Sequence, residues 1–206
     1  MWSTGTGHDE PDDDFYRRVS APENEIPVGL PTSVVLARTD DAAVALIGLQ
    51  VYTTGVAFTL VIRVRPSSRL GTGNTLNELV WGQGPGGGRF LLGIELSDGR
   101  RRTSGSPMPG RSGDLVFHPS AGSGGMASVE QSWWLSPLPP DGPLRVVVRC
   151  PELGIEESAT ELDASAMRRA ADDVVTLWPW ERPLEDRPVE PPPPDVPPDS
   201  WFAGPS

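Results

Sequence analysis

Between Asp41 and Arg63 the chain runs for 21 residues without a charge. Such a run leaves two outcomes, a membrane-crossing helix or strands buried against apolar neighbours. Periodicity decides between them. From Val56 onward the side chains alternate strictly. Val56, Phe58, Leu60, Ile62 and Val64 fall on one side, and Ala57, Thr59, Val61, Arg63 and Arg65 on the other. A period of two is that of a half-buried strand. The preceding stretch, Val44 to Tyr52, is apolar on both sides, as a central strand would be, and Thr53-Thr54-Gly55 fits a turn between the two. Thr, Gln and Gly are also poor choices for the middle of a lipid-facing helix. No membrane association is expected.

Further strands are predicted at short intervals. Ser33–Arg38, Arg89–Leu96, Leu115–His118, Ala127–Leu135, Leu144–Cys150 and Gly154–Thr160 have strand composition, and Leu76–Trp81 is a short candidate. Ser97-Asp98-Gly99 is a hairpin turn. Gly82–Gly88, roughly 103–113 and Pro137–Pro143 read as loops and a rigid turn. The period then changes. Asp163 suits an N-cap, and Ala164, Met167, Ala171, Val174 and Trp178 recur at helical spacing until Pro179. One amphipathic helix is predicted near 163–177. Short strands with turns between them and one late helix predict a mainly β chain, an antiparallel β-sandwich over residues 27–178.

The two ends differ in composition from this middle. Residues 1–26 carry seven acids and two arginines, and residues 179–206 carry six acids, two arginines and ten prolines. Both are expected to be disordered acidic tails, because too little apolar surface is present to offset ordering entropy. The C-terminal one is prone to polyproline II, and it carries two adjacent aromatics, Trp201 and Phe202. The tails hold most of the net charge of -11, which disfavours nucleic acid as a partner. The single cysteine, Cys150, and a first ten residues without basic and apolar signal regions lead to an expected cytoplasmic setting.

Catalytic chemistry finds little support. Ser123 in Ala121-Gly122-Ser123-Gly124-Gly125 echoes a nucleophile elbow, and a Ser-His-Asp site would have to use His118, since His8 lies in a tail. The glycines are read as a loop. Cys150, on an alternating strand, is expected to be a buried apolar residue. There is no CxxC, HExxH or calcium loop, and Asp9, Glu10, Asp12, Asp13 and Asp14 read as a solvated acidic run. The chain has no lysine, so it has no P-loop, and no cofactor is expected. Glu156 and Glu157 are adjacent on a strand and would face opposite sides. Arg100, Arg101 and Arg102, with Arg111 nearby, form the only basic cluster, able to grip an anion or an acidic partner. Of Trp133 and Trp134, consecutive on a strand, one should enter the core. The other should point outward, to anchor a partner or to be buried by a covering loop, the helix or the tail.

The segment Trp133-Trp134-Leu135-Ser136-Pro137-Leu138-Pro139-Pro140-Asp141-Gly142-Pro143-Leu144 is distinctive. So are Pro151-Glu152-Leu153-Gly154-Ile155-Glu156-Glu157-Ser158 and the helix ending Leu177-Trp178-Pro179. Together with Val44–Arg65 they resemble a group of uncharacterised actinobacterial proteins, over roughly residues 30–180. The resemblance implies an actinobacterial source and a cytosolic setting, and supplies no activity or site.

The expectation is therefore a non-enzymatic interaction or scaffold module with a protein partner, with Trp201 and Phe202 as anchors and the arginine cluster and tryptophan pair as further contact residues. The alternative is a sandwich that binds a carbohydrate or small anion through an exposed Trp133 or Trp134 and the arginines. The third reading is a hydrolase using Ser123 and His118.

Overall fold

The computed structural model describes residues 13–69, 75–82, 89–107 and 114–182. The chain is mainly β, and every strand pairing is antiparallel. In chain order the elements are α1 (Asp13–Val19), β1 (Glu25–Ile26), β2 (Val28–Arg38), β3 (Ala42–Val51), β4 (Val56–Val64), α2 (Thr75–Trp81), β5 (Leu91–Glu95), β6 (Arg101–Thr103), β7 (Val116–Gly124), β8 (Ser128–Ser136), β9 (Pro143–Cys150), a 3₁₀ turn (Pro151–Leu153), β10 (Ile155–Asp163), α3 (Ala164–Ala171) and β11 (Val175–Thr176). They form a five-stranded sheet ordered β2-β3-β4-β8-β7, a four-stranded sheet ordered β10-β9-β5-β6, and a two-stranded ribbon β1-β11.

The alternation in the sequence maps onto one shared core. Val56, Phe58, Leu60, Ile62 and Val64 of β4 are all buried, as are Leu144, Val146, Val148 and Cys150 of β9 from the other sheet, and both sets belong to one hydrophobic cluster. The two sheets meet along one side, where Ser158 Oγ of β10 donates to the Leu36 carbonyl of β2 at 2.6 Å. α2 contributes Leu76, Leu79 and Val80 to the same cluster. Asn77 Nδ2 ties it to the Gly125 carbonyl at 3.1 Å. α2 lies against the glycine-rich half of β7: a Cβ on Gly122 would collide with the Trp81 ring, and one on Gly124 would meet Asn77 Cγ at 2.9 Å.

Several sequence expectations are corrected here. Leu76–Trp81 is a helix, not a strand; its apolar residues at 76, 79 and 80 obey helical spacing, but a six-residue run is too short for periodicity alone to decide. Ala121–Gly124 belongs to strand β7 instead of a loop, because glycine there makes room for α2. The late helix stops at Ala171. Asp163 caps it, accepting from the Ser165 amide at 2.9 Å, but Asp172 and Asp173 at its C-terminal end oppose the helix dipole. The β-branched Val175 and Thr176 then pair with β1. Its buried face is Ala164, Met167 and Ala170, whereas Trp178 is exposed.

Residues 13–26, expected to lack structure, form α1 and β1. The Trp134 indole N–H donates to the Arg18 carbonyl at 2.8 Å, and His118 Nε2 lies 2.8 Å from the Val19 carbonyl. The start of the Pro-rich segment packs on α1: the Arg17 guanidinium sits 4.5 Å over the Trp180 ring and that of Arg182 4.4 Å over the Tyr16 ring, with Arg182 3.5 Å from the Asp13 carboxylate. Residues 1–12 and 183–206, with Trp201 and Phe202, lie outside the described residues, as do Arg111 and 83–88 of the glycine run. No described helix is long and apolar enough to cross a membrane.

Candidate interaction surface

The residues singled out for catalysis do not converge. His118 and Ser123 sit on one strand, opposite Trp134 and Glu130 of β8. Those partners are four residues apart, so the two Cα atoms are separated by about 13 Å. The His118 ring is engaged with the Pro119 and Val19 carbonyls. A general base must reach its proton over one hydrogen bond or one water, and this pair does not. Cys150 is fully buried; desolvation, then the neighbouring Glu152 carboxylate, pushes its thiol up from the ordinary value. Native protein should therefore be inert to a thiol-specific maleimide at pH 8, with labelling appearing only as denaturant unfolds the chain; rapid labelling of the folded protein would show that β9 is open. Among the described residues no cluster of three or more His, Cys, Asp or Glu side chains is placed to hold a metal ion.

The arginine cluster is split: Arg100 is engaged at the hairpin turn, while Arg101 and Arg102 both line one groove on the four-stranded sheet. Arg100 pairs with Asp98 across the hairpin turn at 2.7 Å. Arg101 faces outward and binds Glu95 at 2.7 Å. Arg102, opposite the buried Ile94, donates to the Pro107 carbonyl and leaves its Nε buried and without a hydrogen-bond partner. The Glu95 carboxylate also takes Arg145 of β9 at 3.3 Å, and the Arg101 hydrogen bond leads in holding Glu95 below its usual range. With Glu161 opposite Arg145, the outer face of the four-stranded sheet carries a row of alternating charge, Arg101–Glu95–Arg145–Glu161. Beside it lies an open groove of about 450 Å³ floored by Leu91, Gly93 and Val147 and flanked by Arg149 and Glu157. Glu156 and Glu157 fall within an irregularity of the β9–β10 register, and Glu156 reaches Arg149 at 3.5 Å. Arg101, Arg102, Arg145 and Arg149 line this groove against Glu95 and Glu157, so its lining carries a net positive charge.

Trp133 and Trp134 are 2% and 1% exposed. Trp133 enters the core and stacks on Phe117 at 4.6 Å, its N–H donating to Gln131 at 3.2 Å. Trp134 points outward and is covered by the end of α1 and by Tyr52, edge-on at 5.6 Å. Cover for it was foreseen from a loop, the late helix or the tail; the N-terminal segment supplies it. Neither indole is available to a sugar or a partner.

What remains is the outer face of the five-stranded sheet. The register places three outward rows across it: Gln50–Ala57–Trp134, Ser33–Ile47–Thr59–Ser132 and Val35–Ala45–Val61–Glu130. α1 covers the first row at Trp134. The other two carry one charge, Glu130 at their margin, which pairs with Arg63 at 2.6 Å. Val35 is 59% exposed and Ile47 37%. A sheet face turned to water ordinarily bears polar residues, and contiguous exposed apolar surface marks an interaction site. The signal was present in the sequence: Val44–Tyr52 is apolar on both sides, which predicts cover on both faces; on the outer one Val61 is buried and Ala45 and Thr59 half-buried, while Val35 and Ile47 lie open. Arg38, in the next row with Ala43 and Arg63, lies at the far end of the strip.

No protein-family model, curated protein or solved structure matches this chain.

Proposed function

We propose that the chain is a non-enzymatic interaction module, a β-sandwich scaffold that presents the outer face of its five-stranded sheet to an apolar-anchored protein segment. One observation carries this reading: Val35 and Ile47 are exposed apolar residues on adjacent outward rows, flanked by the half-buried Ala45 and Thr59 and the buried Val61. Burial of such side chains contributes about 25 cal/mol per Å² removed from water, so a few anchors suffice for a transient complex. The dispersed Ser123 and His118 and the buried Cys150 fit a role without bond chemistry.

The test is capture from a cell lysate with the full chain, compared with Val35→Glu/Ile47→Glu and with Arg168→Glu/Arg169→Glu on the exposed side of α3. Both positions of the first pair are already exposed, so the fold should survive. A stoichiometric partner retained by the α3 variant and lost with the strip variant is the expected result. Equal recovery by all three baits would refute this surface.

A second reading is favoured by the groove over Gly93, whose open floor and excess of arginines over glutamates suit a small anion. A thermal-shift screen checks it, with Arg149→Ala abolishing any shift.

A further inference from the structure

We infer that the exposed strip is occupied in the resting protein by the chain's own C-terminal segment, with Trp201 and Phe202 laid against Val35, Ala45 and Ile47. This rests on the reading above that the strip is the recognition surface, and it adds how that surface is regulated: an outside partner must displace the tail.

Three observations lead there. The first is where the described chain ends. Arg182 is held against α1 by its stacking on Tyr16 and its contact with Asp13, and α1 covers Trp134 on this same face. The tail therefore departs beside the strip, not from the opposite sheet. The two open rows lie about 7 and 13 Å further along the strands from Trp134, and two or three strands across, a span on the order of 20 Å.

The second is length. Eighteen residues, 183–200, separate Arg182 from Trp201. As a flexible coil they would average about 24 Å end to end, and as a fully extended polyproline helix about 56 Å. The strip lies inside that reach. A tether of this size holds its end at an effective concentration on the order of 1 mM, so a weak intrinsic affinity is enough to keep the site filled.

The third is chemical match. Residues 183–206 hold nine prolines, five acids and one arginine, and their aromatic content is Trp201 and Phe202 alone. Asp199 stands two residues before Trp201, and the strip ends at Arg38, with Arg63 beside it already paired to Glu130. An aromatic pair for an apolar strip and a carboxylate two residues away for the arginine at its end are complementary chemistry. A proline-rich segment also loses less entropy on docking than an ordinary chain, because its backbone is restricted beforehand.

The test uses the full chain with Phe202 replaced by the photo-cross-linker p-benzoylphenylalanine, irradiated at a concentration where the protein is monomeric. Expected are intramolecular cross-links to peptides spanning 33–47 and 57–63, lost in the Val35→Glu/Ile47→Glu background. Cross-links mainly to other regions, or mainly between chains, would overturn docking in cis. In parallel, a synthetic peptide of residues 195–206 is titrated into the full chain and into the Trp201→Ala/Phe202→Ala variant. The expected result is at least ten-fold tighter binding to the variant, whose own tail no longer competes. Equal affinity for both would refute self-occupancy while leaving the strip as a binding surface. No binding to either, with lysate capture still sensitive to Ile47→Glu, would reject the tail as occupant and keep the proposed function. No binding together with indifferent capture would remove both.

Discussion

Replacing Trp134 by alanine should lower stability by about 3–5 kcal/mol, the usual cost of deleting a buried tryptophan. For a chain of this length that corresponds to a fall in Tm on the order of 10 °C. The indole is 1% exposed, yet it does not belong to the core between the sheets. It is buried on the opposite face, where its N–H donates to the Arg18 carbonyl and its ring meets Tyr52. Two consequences should therefore separate. Trp134→Phe keeps most of the buried area and loses the N–H, so stability should fall by about 1 kcal/mol. In both variants hydrogen exchange at residues 13–19 should accelerate more than in β4 or β9, since α1 loses a contact that seats it on the sheet while β4 and β9 lie in the core between the sheets. An unchanged Tm in Trp134→Ala would mean that α1 does not cover the ring in solution.

Gly55→Ala should cost about 1–3 kcal/mol, the range seen when a well-packed site is overfilled. Gly55 closes the β3–β4 turn, its carbonyl accepting from the Tyr52 amide at 2.9 Å. A Cβ there would run into the Leu135 carbonyl and would lie 2.7 Å from atoms of the Trp134 ring. The carbonyl is backbone and the ring is pinned by α1, so neither yields cheaply. Gly105→Ala is the matched control, because nothing lies within 4 Å of a Cβ at that position. It should be neutral or slightly stabilising through the unfolded state. Urea melts of the two variants check this; equal midpoints would show that the turn relaxes freely.

The legible parts of the fold were those with an unbroken period or an unambiguous turn. β4 and β9 alternate over their whole length, and Ser97-Asp98-Gly99 makes the β5–β6 hairpin with Gly99 at φ +86°. α2 and β7 escape local reading because each is short or glycine-rich by itself: β7 is defined by its pairing with β8, and α2 by the core its apolar residues enter. α1 offers three apolar residues, Phe15, Tyr16 and Val19, too few to signal a packed helix. Its one local clue is electrostatic, Asp13 and Asp14 in the first turn and Arg17 and Arg18 in the last, the arrangement a helix dipole favours. The candidate surface was half legible. The double-sided apolarity of Val44–Tyr52 was visible, but which side the rest of the chain would leave open depends on where α1 and α3 settle, and no local pattern encodes that. The arginine run illustrates the converse. Three adjacent charges look like one patch in a list of residues, but Arg100 is tied up by Asp98 at the turn and Arg101 by Glu95, while Arg102 leans on the Pro107 carbonyl.

The ribbon between β1 and β11 bears on how the molecule takes mechanical load. Its strands are antiparallel, so the chain leaving Glu25 toward α1 and the chain leaving Thr176 toward Arg182 depart from the same end. Tension applied at those two points peels the pairing apart bond by bond, beginning with the Leu177 amide on the Asn24 carbonyl and the Asn24 side chain on the Trp178 carbonyl. Peeling, unlike shearing, never strains many bonds at once. The ribbon therefore yields at lower force than the long antiparallel pairs of the two sheets would under load along their strands.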